Sequence, residues 1–148
     1  MPPFAIRSAI PADVPPITQV VLRVRGEASP ALPRLRTVDE ATQWVEETLA
    51  SHEVHVAEVE GAVVGFSALK GSEVKHLYVH PCARGRGVGS ALVEHAKQGH
   101  DRLDVHTFRR SERAREFCYR HGFRLVELGD GSHHATVEPD ARYFWTAR

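Results

Sequence analysis

The chain has 148 residues, 42% hydrophobic and 26% charged, and its 19 basic residues are balanced by 19 acidic ones. This length and mix predict one soluble globular domain over residues 1–148, and the zero net charge provides no field to gather a polyanion, which argues against nucleic acid. The apolar run Ala62 to Leu69 is short of the ~18 residues of a membrane span. The N-terminal stretch has no signal-peptide core, and Cys82 and Cys118 form no CxxC pair, so a reducing, cytoplasmic setting is expected.

In chain order, Ala5 to Ala9 alternates and stops at Pro11, which predicts a first strand and a turn. Asp13 precedes Pro15 and Pro16, and Ile17, Val20, Val21 and Val24 recur at helical spacing, so a helix capped near Asp13 follows. Glu27 to Arg36, with Pro30 and Pro33, reads as a long loop. Thr37 and Glu40 match a capping box, and Ala41, Val45 and Leu49, with Trp44 beside them, give the buried stripe of a second helix.

From Val54 the period becomes extended. Val54–Val59 and Val63–Leu69 are joined by Glu60-Gly61, and Gly71-Ser72 turns the chain into Glu73–His80, so three successive antiparallel strands are expected. The glycine-rich Arg84-Gly85-Arg86-Gly87-Val88-Gly89 then opens a helix whose face is Val88, Ala91, Leu92 and Ala96. A strand at Leu103–Thr107, a helix from Ser111 to His121, a strand at Phe123–Glu127 and a last strand around Asp140–Trp145 complete the chain. The fold class is α/β, of the α+β kind: one domain with a mixed sheet of about seven strands, about four helices and an antiparallel N-terminal part.

The strand running into the glycine loop carries the chemistry. The first N–H groups of a helix lack internal partners and sit at the positive end of its dipole, and glycines let that backbone approach a phosphate. Two phosphate loops are excluded: no Gly-Lys dipeptide occurs for a P-loop, and Ser90 stands where the dinucleotide fingerprint needs its third glycine.

The segment His76 to Leu92 resembles the acetyl-CoA signature of the GCN5-related N-acetyltransferases (the GNAT superfamily), Arg/Gln-x-x-Gly-x-Gly/Ala after a strand. Ser111 to Phe123 is similar to that family's later helix, commonly Asn-x-x-Ala-x-x-Phe-Tyr-x-x-x-Gly-Phe. The resemblance implies an acetyl-CoA-dependent N-acetyltransferase that moves an acetyl group to a primary amine of a small molecule or peptide by direct attack in a ternary complex. It implies acetyl-CoA as cosubstrate, no resident metal, no membrane partner, and a monomer or homodimer. A catalytically degenerate acyl-CoA-binding sensor is the alternative.

By the same resemblance, Arg84, Arg86, Gly87, Val88, Gly89 and Ser90 would cradle the CoA pyrophosphate, and main-chain groups of Leu77, Tyr78 and Val79 would pair with the pantetheine arm. A backbone N–H near Tyr78 or Val79 would polarise the thioester carbonyl. Glu73, eleven residues before Arg84, stands where some members carry a glutamate base, with His76 as runner-up. Simple alternation places these two on opposite faces of the strand. Cys118 replaces the tyrosine proposed to protonate the departing thiolate, Tyr119 falls ~100° away round the helix, and Ser111 replaces an asparagine that contacts the pantetheine region.

Among weaker constellations, Arg109, Arg110, Arg113 and Arg115 are interleaved with Glu112 and Glu116 and read as a solvated helix face. His133-His134 with His52 and His55 complete no metal-ligand spacing. Glu138, Asp140, Arg142 and Tyr143 are expected to line the acceptor site, whose identity their mixed charges leave open.

Overall fold

The computed structural model describes residues 4–24, 35, 37–130 and 139–147. The loop expected over Glu27–Arg36 lies almost wholly outside these residues, as do His133, His134 and Glu138.

Among the described residues, seven strands form one sheet: β1 (Phe4–Ser8), β2 (Glu53–Val59), β3 (Ala62–Lys70), β4 (Glu73–Val79), β5 (Arg102–Phe108), β6 (Arg124–Gly129) and β7 (Asp140–Thr146), in the order β1-β2-β3-β4-β5-β7-β6. Four helices cover it, α1 (Val14–Val24), α2 (Val38–Ser51), α3 (Val88–Gln98) and α4 (Glu112–Arg120). The order and type of every expected strand and helix agree with this architecture. Asp13 ends a short 3-10 turn ahead of α1 rather than capping the helix. Its buried carboxylate accepts the Ile10 N–H and two bonds from Arg7, each 2.8 Å long.

The sequence periodicities become two packed layers. Ile17, Val20, Val21 and Val24 of α1 and Ala41 and Val45 of α2 bury one face of the sheet with Val54, Val56, Phe66, Ala68 and Tyr78. On the other face, Val93 and Ala96 of α3 and Cys118 of α4 pack with Leu69, Val74, Leu103, Ala141 and Tyr143. The capping box of α2 is formed: Thr37 Oγ accepts the Glu40 N–H, and the Glu40 carboxylate accepts the Thr37 N–H.

Two irregularities of β4 position the site. Val74 lies opposite Leu69 and His76 opposite Ala68, so Lys75 is an extra residue, a β-bulge. In addition, β4 runs parallel to β5 for only two register pairs, Glu73 with Asp104 and Val74 with Val105, and the strands then part.

Candidate active site

Where β4 and β5 separate, a cleft of about 580 Å3 opens between them, lined among others by Leu77, Tyr78, Val79, Val105, His106 and Phe117 and ending at the glycine loop. The His80 N–H donates to Val64 O of β3. Backbone groups alternate along a strand, so Tyr78 also turns its N–H and C=O toward β3, while those of Leu77 and Val79 face the cleft. These two residues thus offer an unfilled sheet edge to an extended ligand.

The loop fits a phosphate at the cleft's far end. Gly85 and Gly87 have φ of 80° and 86°, in the left-handed region that glycine adopts without steric cost, and a Cβ at either would meet nothing within 4 Å. Gly87 is the N-cap of α3, so the amides of Val88, Gly89 and Ser90 lie in its first turn. The buried Val88 side chain anchors that turn beneath β2 and β4 with Ala57, Ala83 and Leu92. Arg84 lines the cleft, and the Arg86 side chain is exposed beside it.

Glu73 and His76 do not occupy opposite faces. Alternation alone separates them, but the Lys75 bulge resets the phase: Glu73 pairs with Lys70 and His76 with Ala68, two residues of β3 that share a face. His76 points into the α1/α2 core, 6% exposed, its ring edge-on to Trp44 at 4.7 Å. Burial pushes its pKa down to about 3, and Nδ1 has no hydrogen-bond partner among the described residues.

Glu73 meets an imidazole and an ammonium group. Its Oε2 lies 3.3 Å from His106 Nδ1 and its Oε1 lies 3.2 Å from Lys75 Nζ. The His106 approach is close but off the N–H axis. His106, helped by Lys75, outweighs burial and draws the Glu73 pKa down to about 2. The far nitrogen of His106 stands 4.0 Å from Asp140 Oδ2, so the imidazole bridges carboxylates from β4 and β7 at the cleft wall. No motif of the sequence singles out His106. Its signal lies in the alternation of β5, which puts two titratable groups, Asp104 and His106, on one face of a central strand.

On α4, Cys118 is 3% exposed and burial raises its thiol pKa to about 12, while Tyr119 is 80% exposed on the outer face. Ser111 is the N-cap of α4, accepting the Ala114 N–H at 3.3 Å; Arg113 and Ala114 line the cleft. Arg115 donates to the Tyr143 hydroxyl at 3.0 Å and to Arg109 O at 3.3 Å, which ties α4 to β7 and its own preceding loop. No helix of the described residues is long and apolar enough to cross a membrane.

Residues 50–125 match the family model described as an acetyltransferase (GNAT) domain. The chain is 31% identical over 80 residues to the peptidyl-lysine N-acetyltransferase YiaC of Escherichia coli, covering 53% of this chain and 55% of YiaC. It is 37% identical over 63 residues to YjaB, a second peptidyl-lysine N-acetyltransferase of that organism, covering 43% of each chain. The alignments therefore span about half the length of these curated relatives or less. Among solved structures, YncA of Salmonella typhimurium with its cofactor acetyl-CoA superposes with a TM-score of 0.75 at 20% identity, covering 97% of this chain and 94% of that one. A GNAT-family acetyltransferase of Bacillus cereus gives 0.78 at 13%, covering 98% of both. The chain belongs to the GNAT acetyltransferase family.

Proposed function

We propose that the chain is an acetyl-CoA-dependent N-acetyltransferase acting on a primary amine, with a peptide lysine as the first acceptor class to test. The observation that carries this reading is the parted β4–β5 seam: a cleft with free strand edge at Leu77 and Val79, ending on glycine amides at the start of α3. Acetyl-CoA supplies the activated acetyl thioester. Leu77 and Val79 hold its pantetheine arm, and Arg84, Arg86, Gly87, Val88, Gly89 and Ser90 surround its pyrophosphate. The peptide-lysine class comes from the two relatives of known activity.

The amine nitrogen bonds to the acetyl carbon, the carbon–sulfur bond breaks, and one proton must leave the nitrogen. A carboxylate held near 2 is a weak proton acceptor, and His106 is the neighbouring group that lines the cleft with a ring nitrogen able to accept a proton. His106 therefore takes the proton, and Glu73 with Asp140 orients its ring and stabilises the imidazolium. His76, shut in the core, takes no part. Cys118 is a weaker acid than a CoA thiol, so the thiolate, with an ordinary pKa of ~8.5, departs without it and is protonated by solvent.

Thermal shift with acetyl-CoA, followed by CoA release across lysine peptides and small amines, tests this. Stabilisation together with turnover on at least one amine is expected. Absence of any shift at millimolar acetyl-CoA sinks the proposal, and saturable binding without release on any acceptor replaces it with the sensor reading. His106→Gln should lower kcat ~100-fold or more with the KM for acetyl-CoA little changed.

A further inference from the structure

Behind the glycine loop, a serine, a histidine and a glutamate form a chain across two helices. Ser90 Oγ lies 2.9 Å from His121 Nε2, and His121 Nδ1 lies 3.0 Å from Glu94 Oε2. Ser90 stands in the first turn of α3 and lines the cleft; His121 follows α4 and sits behind it, facing a second cavity. In the sequence, His121 is only the last residue of the expected helix. The ring is mostly buried, with Phe117 against its face at 4.5 Å. The charged groups around it are Glu94 and Lys97 of α3, Arg120 of its own helix and Arg124 at the start of β6. Lys97 also donates to the His121 carbonyl at 2.6 Å and to Glu94 at 3.1 Å, which fixes the geometry.

Hydrogen-bond polarity along this chain follows from Glu94. An ionised carboxylate only accepts, so Nδ1 must carry a hydrogen. Burial alone would raise the Glu94 pKa, but His121 and Lys97 outweigh it and the group is held below the usual range, hence ionised at neutral pH. Nε2 then has two states. In a neutral ring it accepts the Ser90 hydroxyl hydrogen, leaving the serine's lone pairs toward the cleft. In an imidazolium it donates to Ser90 Oγ, and the hydroxyl hydrogen is freed to point at the cleft.

Resting on the acetyl-CoA reading above, we infer that Glu94 and His121 are positioning residues that set the Ser90 hydroxyl as a hydrogen-bond donor to the cofactor's pyrophosphate, so that phosphate binding is coupled to uptake of one proton by His121. An anion in the loop repels the lone-pair arrangement and accepts from the other, so it favours the imidazolium, and the imidazolium favours the anion. This coupling is reciprocal. The sign follows: the bound state holds the proton more tightly than the free state, so affinity is greatest at low pH and falls as pH rises.

The test is calorimetric affinity for acetyl 3′-dephospho-CoA from pH 5.5 to 8.5. That ligand keeps the pyrophosphate but lacks the 3′-phosphate, whose own titration near pH 6 would obscure the result. The unmodified protein should weaken about fivefold or more across the range, where one unit of binding-linked pKa shift corresponds to tenfold. Ser90→Ala should bind more weakly and with a flat pH profile. His121→Gln, which can donate to Ser90 without titrating, should be flat while keeping most of the low-pH affinity. A flat profile in the unmodified protein overturns the inference, as does pH dependence surviving in Ser90→Ala, which would assign it to another group such as His80. Failure of all forms to bind at any pH overturns the acetyl-CoA reading instead. Far-UV spectra and melting curves of each variant separate lost binding from lost fold.

Discussion

Two side chains that look promising in the sequence are core residues in the fold. Cys118 occupies the position of a catalytic tyrosine, yet its thiol is buried in the α3/α4 core and its pKa is raised to about 12 by that burial. Cys118→Ala should therefore leave kcat within about twofold while costing on the order of 1 kcal/mol in stability, a small cavity's worth. A fall of tenfold or more in kcat would restore a proton-donor role. His76 is a core residue whose folded pKa is below its ordinary 6.5, so the unfolded chain binds the extra proton between those values. Its contribution to stability is full above pH 6.5 and is lost as pH falls toward about 3, at up to ~1.4 kcal/mol per pH unit. Denaturant unfolding between pH 7 and 4 should show this slope, and His76→Leu should remove most of it.

At the scale of elements, helices and strands were legible because each is written in a local period, 3.6 for Ile17–Val24 and two for Val54–Val59. The capping box of Thr37 and Glu40 was equally legible, since both partners lie within four residues. The bulge at Lys75 was not: it is a mismatch between β3 and β4, defined by which residues face each other across the pair, and nothing in the run Glu73–Val79 marks it. That one extra residue brings Glu73 to the face where His106 and Asp140 stand. The glycine loop was legible because its conformation requires its residue type. At Gly87, φ is 86° and an added Cβ would meet no neighbour, so Gly87→Ala carries a backbone cost of ~1–2 kcal/mol without a clash. Relaxation of that strain should tilt the first amides of α3 and weaken acetyl-CoA binding about tenfold or more, measured by calorimetry. Unchanged affinity would remove these amides from the pyrophosphate site.

Over the whole molecule, the fold class and the glycine loop could be read from the chain, but the side-chain cluster beside the cleft could not. His106 comes from β5, Glu73 from β4 and Asp140 from β7, so their meeting depends on a sheet order in which β7 inserts between β5 and β6. Acid stability is likewise a property of the assembled chain. Asp13, Glu73, Glu94 and Asp104 all have depressed pKa values in the fold, and each contributes stability above its unfolded value near 4 that disappears as pH falls through the folded one. His76 loses stability in the same direction. A melting temperature that is flat between about pH 7 and 9 and falls continuously below pH 6 is expected, and a maximum at pH 4–5 would contradict these assignments.

The two register pairs between β4 and β5 also bear on how the molecule breathes. Strands β1–β4 form one ladder and β5–β7 another, joined at the seam by Glu73–Val74 and Asp104–Val105, with helices packed across it. A sheet so divided has a weak line along which sub-global opening is cheapest. A ligand lying in the gap stands in for the missing rungs, so it should slow hydrogen exchange at the Leu77 and Val79 amides and also in strands on both sides that it never touches. On this account the substrate is a temporary part of the fold, and each turnover returns the protein to two loosely coupled halves.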